Sequence, residues 1–428
     1  MPTTQSHRDQ REGENVKTCW RVLGAAALMA VAGWGSSAAA QAPAITDLGA
    51  VGPESRAYAV SASGQVVVGE SGGQAFVWSQ GTGMIALGGR RATGVSANGE
   101  VISGYAGGEG PSMRSVRWTA WSPGALQDLS TFGDGSYSAA NGVAGNGSLI
   151  IGNAFNGDYE MPDTVPYRWT SAGATQSVWA GAVTAGSGPK WGAQAASHDG
   201  LVIVGNEGLG WIKAFRWTPA DGKSNFLSAY ESSAQAVSTD GGTVAGYYKN
   251  APGNDHSAYV WRAWRTPQRI DIPDLPGGAD RATANALSGD GAKVAGWGTG
   301  SAGQEALIWD ETRGTQNLRE ALIADGAGSV AGWVLTSATG VSANGQVIVG
   351  YGTNPAGQVR AWRVTWPCYA NCDQSVTAPA LNINDFSCFL ARFAQGDPYA
   401  NCDNSTTPPV FNVADFSCFL SRYAAGCP

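Results

Sequence analysis

The chain has 428 residues, enough for two or more domains, and a formal net charge of −7. That charge argues against a nucleic-acid partner, because a phosphate backbone asks for a basic face. Only 14% of residues are charged, while 61 are glycine and 17 are tryptophan, a composition that suits short strands and tight turns.

Residues 1–40 read as an export signal. Arg8, Arg11, Lys17 and Arg21 lead into an apolar run from Val22 to Trp34, too short for a comfortable membrane span. Ala38-Ala39-Ala40 is a small-residue cleavage site, so the mature chain is expected to start at Gln41 and to be extracellular, either released or held at the cell surface. Cysteine usage agrees. Cys19 lies in the leader, and Cys368, Cys372, Cys388, Cys402, Cys418 and Cys427 crowd into the C-terminal segment. An even number in a small exported domain reads as a disulfide framework, whose connectivity the sequence leaves open. Zinc is the weaker reading, since this segment has no histidine and no C-x-x-C pair.

Between Ile45 and Trp366 one phrase recurs seven times. Its first half runs Val60–Gly69, Val95–Gly104, Val143–Gly152, Ala196–Gly205, Val237–Gly246, Leu287–Gly296 and Val341–Gly350. Each copy has an inner turn glycine (Gly64, Gly99, Gly147, Gly200, Gly241, Gly291, Gly345) preceded by Ser, Asn or Asp, which predicts a β-hairpin. The second half ends in an alternating strand such as Ala75-Phe76-Val77-Trp78 or Ala214-Phe215-Arg216-Trp217, with Trp78, Trp118, Trp169, Trp217, Trp261 and Trp309 at equivalent places. A further short strand follows in six copies.

Four strands in about 47 residues is the size of a propeller blade, so residues 41–366 are expected to form a mainly β, seven-bladed β-propeller. The seventh copy lacks a fourth strand, and Ile45-Thr46-Asp47-Leu48-Gly49 stands unpaired before the first. Threading that segment into the last blade would close the ring and remove a sheet edge. The repeated phrases resemble the extracellular HAF-repeat family, named for a small-aromatic strand of this kind. The resemblance implies export and a repeated β fold, and carries no established activity.

Residues 371–398 and 401–428 are one unit repeated at an offset of 30. Asn371-Cys372-Asp373 matches Asn401-Cys402-Asp403, and Asp385-Phe386-Ser387-Cys388-Phe389-Leu390 matches Asp415-Phe416-Ser417-Cys418-Phe419-Leu420. Each unit is a polar loop leading into a short amphipathic helix. The pair, occupying residues 367–428, resembles a dockerin of the cysteine-bearing kind that ends in Gly-Cys, here Gly426-Cys427. The resemblance implies an EF-hand-like α-helical module, a cohesin-like anchoring partner, and Ca2+ held by Asn371, Asp373, Ser375 and Asp385 and by Asn401, Asp403, Ser405 and Asp415. This chain departs from the pattern in having Asn at the first position, Ser at the fifth, and Val376 and Thr406 where a loop glycine is expected. The rival expectation is a metal-free network of helix caps held by disulfides. Folding of the loop onto the helix start in such half-motifs implies Cys372–Cys388 and Cys402–Cys418 bridges, with Cys368 and Cys427 left for a terminal clasp.

The sequence shows no Ser-His-Asp order, phosphate loop or nucleotide fingerprint. Asp199, Asp240 and Asp290 are expected in hairpin turns, His198 and His256 in turns or loops, and Arg117, Arg168, Arg216 and Arg363 stacked on neighbouring aromatics. One position stands out. Just after the second glycine the copies carry Glu70, Tyr105, Asn153, Asn206, Tyr247, Trp297 and Tyr351. The repeat puts these at the same end of the same strand, and their chemistry suits stacking on and hydrogen bonding to a sugar. The bland alternative is that they pack loops against adjacent blades. The overall expectation is an exported, non-catalytic propeller that binds a carbohydrate or protein ligand. The alternatives are a dockerin-borne carbohydrate-active enzyme, for which paired carboxylates would be needed, and a structural surface component.

Overall fold

The computed structural model describes residues 42–425 apart from 109–111, 130–136, 157–162, 179–191, 209–210, 228–229, 252–254, 263–267, 374–380 and 404. The leader expected at residues 1–40, together with Ser375 and Cys427, lies outside them. Among the described residues no helix is long and apolar enough to cross a membrane.

Seven four-stranded antiparallel sheets form the blades of a β-propeller. Blades 1 to 6 span residues 55–86, 91–128, 137–177, 193–225, 231–272 and 277–317, each ordered from its first strand at the axis to its fourth at the rim. Blade 7 takes three strands from 334–365, and its fourth is the N-terminal strand Ala44–Asp47, which pairs with Val359–Thr365 in the register Ile45 opposite Val364. The expected closure is therefore present.

Alternation places one set of side chains on each blade face, and these fill the gaps between blades. Every junction carries its own buried apolar cluster, for example Val68, Val77, Ala92, Ile102 and Trp118 between blades 1 and 2. The cluster between blades 6 and 7 recruits a helix that the repeat pattern did not announce, α1 (Leu318–Ala324). Asn317 caps it by accepting from the backbone of Arg319 and Glu320, and Leu318, Ala321 and Leu322 face inward. Three of the four recurrent arginines stack across junctions as expected: Arg117 over Trp169, Arg168 over Trp217 and Arg363 over Trp78, at 4.4, 4.8 and 6.0 Å.

One ring of hydrogen bonds, and a second, partial set, join the inner strands. At one end, the hairpin turns bond backbone to backbone round the whole circle. Ala62 donates to Ala97, Ala97 to Gly145, Asn146 to His198, His198 to Thr239, Thr239 to Gly289, Gly289 to Ala343, and Ala343 to Ala62, all between 2.8 and 3.1 Å. The turns themselves are braced as expected, with the hydroxyls of Ser197, Ser238 and Ser288 donating to Asp199, Asp240 and Asp290 at 2.6 Å. Gly64 needs its positive φ of 75°, and a Cβ there would strike Val347 of the preceding blade at 2.4 Å.

Further along each inner strand one extra residue is bulged out of the ladder: Tyr58, Thr93, Asn141, Gln194, Gln235, Asn285 and Thr339. Four of them reach the next blade. Thr93 donates to the carbonyl of Ala140, Asn141 to Ala193, Asn285 to Ala338 and Thr339 to Ala57, at 2.8 to 2.9 Å. Each acceptor is the residue just before the neighbour's own bulge. The second glycine of each phrase lies opposite that residue, and at Gly69 a Cβ would stand 2.0 Å from the Arg56 carbonyl oxygen.

The C-terminal module contains α2 (Ile383–Ala394) and α3 (Val413–Ala425). Phe389 and Phe419 stack at 4.2 Å in its core. Tyr369 and Tyr399 stack at 4.8 Å, and each hydroxyl donates to the other's backbone carbonyl. Cys372–Cys388 and Cys402–Cys418 are bonded, with Cα–Cα distances of 5.8 and 5.7 Å. Cys368 is disulfide-bonded as well.

Candidate functional site

The seven face residues occupy one register position. Each follows the second glycine on the second strand of its blade, at the end away from the hairpin-turn ring. Their surroundings divide the face into sectors. Asn206 is buried, at 3% exposure, with its side-chain oxygen unpartnered among the described residues. The other six are half-buried.

Blades 7, 1 and 2 build a charged and aromatic sector. Glu70 accepts from the Arg91 guanidinium at 2.7 Å across the blade junction. Arg91 lies 4.9 Å from the Tyr58 ring and 5.6 Å from the Tyr105 ring. The Tyr58 hydroxyl donates to Glu70 at 3.4 Å. Burial pushes the Tyr58 phenol up to about 12, with the Arg91 charge opposing. It therefore stays a neutral donor. Arg56, bound to Glu54 at 2.8 Å, covers the Tyr351 ring at 5.6 Å.

Blades 3 and 4 offer amides. Asn141 donates to the Asn153 side-chain oxygen at 3.2 Å while it also locks the junction through Ala193. Blades 5 and 6 offer aromatic faces. Tyr247 stacks on His256 at 4.4 Å, and Arg281 lies 5.5 Å from the Trp297 ring. Burial, helped by the Lys249 and Arg281 charges, lowers the His256 pKa and favours its neutral form.

Sequence reasoning found the strand positions but missed Tyr58, Arg56 and Arg91, which come from inner strands. Their signal was present: each precedes or occupies a bulge whose place in the phrase is constant. The acidic residues of the hairpin turns are spent on backbone and serine hydrogen bonds at the other end.

In the C-terminal module the candidate cation ligands of the second unit are all described. Asn401 accepts from the Ser405 backbone at 3.0 Å, and Asp403 accepts from the same N–H at 2.9 Å. Asp415 is buried and accepts from the backbone of Asp403 and Asn412 at 3.3 and 2.9 Å. In the first unit Asp385 accepts from Asp373 and Asn382 in the same way and completes a capping box at the start of α2. The rival cap network is thus present in detail. The side chains of Asp403 and Asp415 also interact with each other, as do those of Asp373 and Asp385. Burial, with Asp373 adjacent, pushes the Asp385 carboxyl above its usual range. Two facing carboxylates with carbonyl and amide oxygens beside them are an oxygen donor set suited to a hard cation. Among the described residues no cluster of three or more His, Cys, Asp and Glu side chains forms a metal site.

No family model matches the chain, and no curated protein matches it. Solved structures resemble it at low identity. Oligogalacturonate lyase from Vibrio parahaemolyticus is 11% identical with a TM-score of 0.49, covering 76% of this chain and 93% of that one. The β-propeller domain of the trilobed protease from Pyrococcus furiosus is 12% identical with a TM-score of 0.43, covering 76% and 95%. TolB from Acinetobacter baumannii is 10% identical with a TM-score of 0.39, covering 73% of this chain and 64% of its own length, less than two thirds. These likenesses carry no activity over to this chain.

Proposed function

We propose that this is an exported, non-catalytic recognition propeller that binds a carbohydrate or protein ligand on the face carrying Glu70, Tyr105, Asn153, Tyr247, Trp297 and Tyr351. The observation that carries this reading is the Glu70–Arg91 pair set between Tyr58 and Tyr105. A carboxylate tied to a guanidinium acts as a fixed acceptor, and the neighbouring rings supply stacking surface. Amides on the adjoining blades add donors and acceptors. Replacing Tyr247, Trp297 and Tyr351 together with Ala is expected to abolish binding on a glycan array while the circular-dichroism spectrum stays native. Unchanged binding would reduce the face to a packing role.

The second half of the proposal is anchoring through the C-terminal module to a cohesin-like partner, with Ca2+ held by Asn371, Asp373, Ser375 and Asp385 and by Asn401, Asp403, Ser405 and Asp415. Bound calcium would neutralise the facing carboxylates and fix each loop on its helix. Support for anchoring comes from a duplicated exposed surface. Ile383 and Leu390 on α2 are 71% and 38% exposed, and their counterparts Val413 and Leu420 on α3 are 78% and 51% exposed. Large apolar side chains left in water at equivalent places on both units suit a partner surface.

A further inference from the structure

We infer that the exposed Trp211, backed by Tyr230, is a stacking platform for one pyranose ring of a glycan, a binding element outside the repeated face position. Trp211 follows the second strand of blade 4 and Tyr230 precedes the first strand of blade 5, so both belong to the end of the propeller where the face residues lie. Their ring centroids are 3.9 Å apart at an interplanar angle of 53°. Trp211 is nonetheless 52% exposed, and among the described residues it is the only exposed tryptophan.

The two backbones are tied together. A Cβ on Gly208 would stand 1.9 Å from the Trp211 carbonyl oxygen, so there is no room for a side chain at this position. The Ser232 backbone donates to the Ile212 carbonyl at 2.9 Å, and the Ala214 N–H donates to the Ser232 hydroxyl at 2.9 Å. Lys213 Nζ donates to the Tyr230 carbonyl at 3.0 Å. These bonds fix both backbones that carry the rings. The same backbone bond ties Ser138 to Met113 and Ala282 to His256 at other junctions. There the residue in the place of Trp211 is Ser112 or Asp255. The fold therefore does not require an aromatic at this position.

The occupant follows from size and rim chemistry. The platform is two aromatic side chains, against the roughly 20–30 residues a side of a stable protein interface. Lys213, whose Nζ donates to the Tyr230 carbonyl, borders it, and Glu207 is its partner in register. A pyranose presents C–H groups to an aromatic face and hydroxyls to such a charged rim, whereas an aliphatic protein patch would leave the rim unmatched. This inference rests on the ligand-recognition reading of the face and commits it to carbohydrate.

The test is native affinity electrophoresis of the full chain in gels containing xylan, pectin, laminarin, dextran or carboxymethylcellulose. At least one polysaccharide is expected to retard the native protein. Trp211→Ala should weaken that retardation about tenfold or more, and Trp211→Phe should keep most of it. Tryptophan fluorescence and circular dichroism of each variant establish that the fold is intact. Retardation unchanged in a folded Trp211→Ala, but lost on replacing Tyr247, Trp297 and Tyr351, would overturn the platform and leave the face reading standing. No retardation of the native chain by any of the polysaccharides would overturn the platform outright. The face would then be left to a protein ligand.

Discussion

The Thr339 hydroxyl donates to the Ala57 carbonyl oxygen at 2.9 Å, joining the last blade to the first. Thr93 makes the same bond to Ala140 inside the array. Closure is therefore built like any other junction. Thr339→Val keeps the shape and strands the acceptor, which should cost about 1–3 kcal/mol. Thr93→Val should cost the same within roughly 0.5 kcal/mol. Urea midpoints of the two variants check this; a much smaller loss at Thr339 would mean that the seventh junction is held by something else.

Deleting residues 45–49 removes the outer strand of blade 7 and bares the edge of Val359–Thr365. The melting temperature should fall by roughly 10 °C or more, with a rise in aggregation. An unchanged melting curve would contradict the role of this strand in closure.

Lys293 stands where other blades carry Val66, Val101, Leu149, Val202, Thr243 or Val347. Its Nζ donates to Gly345 O at 3.2 Å and faces the Trp366 ring at 5.6 Å. Burial is the main cause that lowers its pKa to about 8 from 10.5. The unfolded chain keeps this proton to higher pH than the folded one. Stability from this group is therefore lowest below pH 8 and rises as pH climbs towards 10.5. Lys293→Met should raise stability at pH 7 by about 1–2 kcal/mol, an advantage that shrinks by pH 10. Melting curves of both proteins across that range decide it.

Calorimetry of the full chain with calcium should show binding on the order of 10⁻⁴–10⁻³ M. Asp373→Asn, Asp385→Asn, Asp403→Asn and Asp415→Asn combined should abolish the heat. No heat from the native chain would leave the capping network as the sufficient account of these carboxylates. Replacing Cys402 and Cys418 with Ser should destabilise the module by about 2–5 kcal/mol, measured as earlier proteolysis after residue 367.

What the sequence showed was periodic. The Gly64-type turns, the Trp78-type strands, the unpaired segment at Ile45 and the paired cysteines each recur at fixed intervals, so the blade count, the closure and the Cys372–Cys388 and Cys402–Cys418 bridges could be read from spacing and resemblance. What it hid was aperiodic. The bulge residue that reaches the next blade varies from Thr93 to Asn141 to Asn285, since different donor side chains serve there, and its acceptor lies a whole blade away. The pairing of Arg91 is hidden because its partner Glu70 belongs to the preceding copy, although its place before the bulge is constant. Trp211 breaks the repeat, so comparison between copies carries no signal for it. Helix α1 fills a connection between two copies, where repeat alignment has nothing to compare.

The strand that leaves the propeller for the C-terminal module is Val359–Thr365, and its last residue is paired on both sides, with Val347 and with Ala44. A pull on the module is therefore delivered to an interior strand and not to a free edge. To let go, that strand must slide against two ladders at once, one of them made by the beginning of the chain. Under a flowing or shearing load the two ends of the propeller brace each other, and the tether grips the blade along a strand held from both sides.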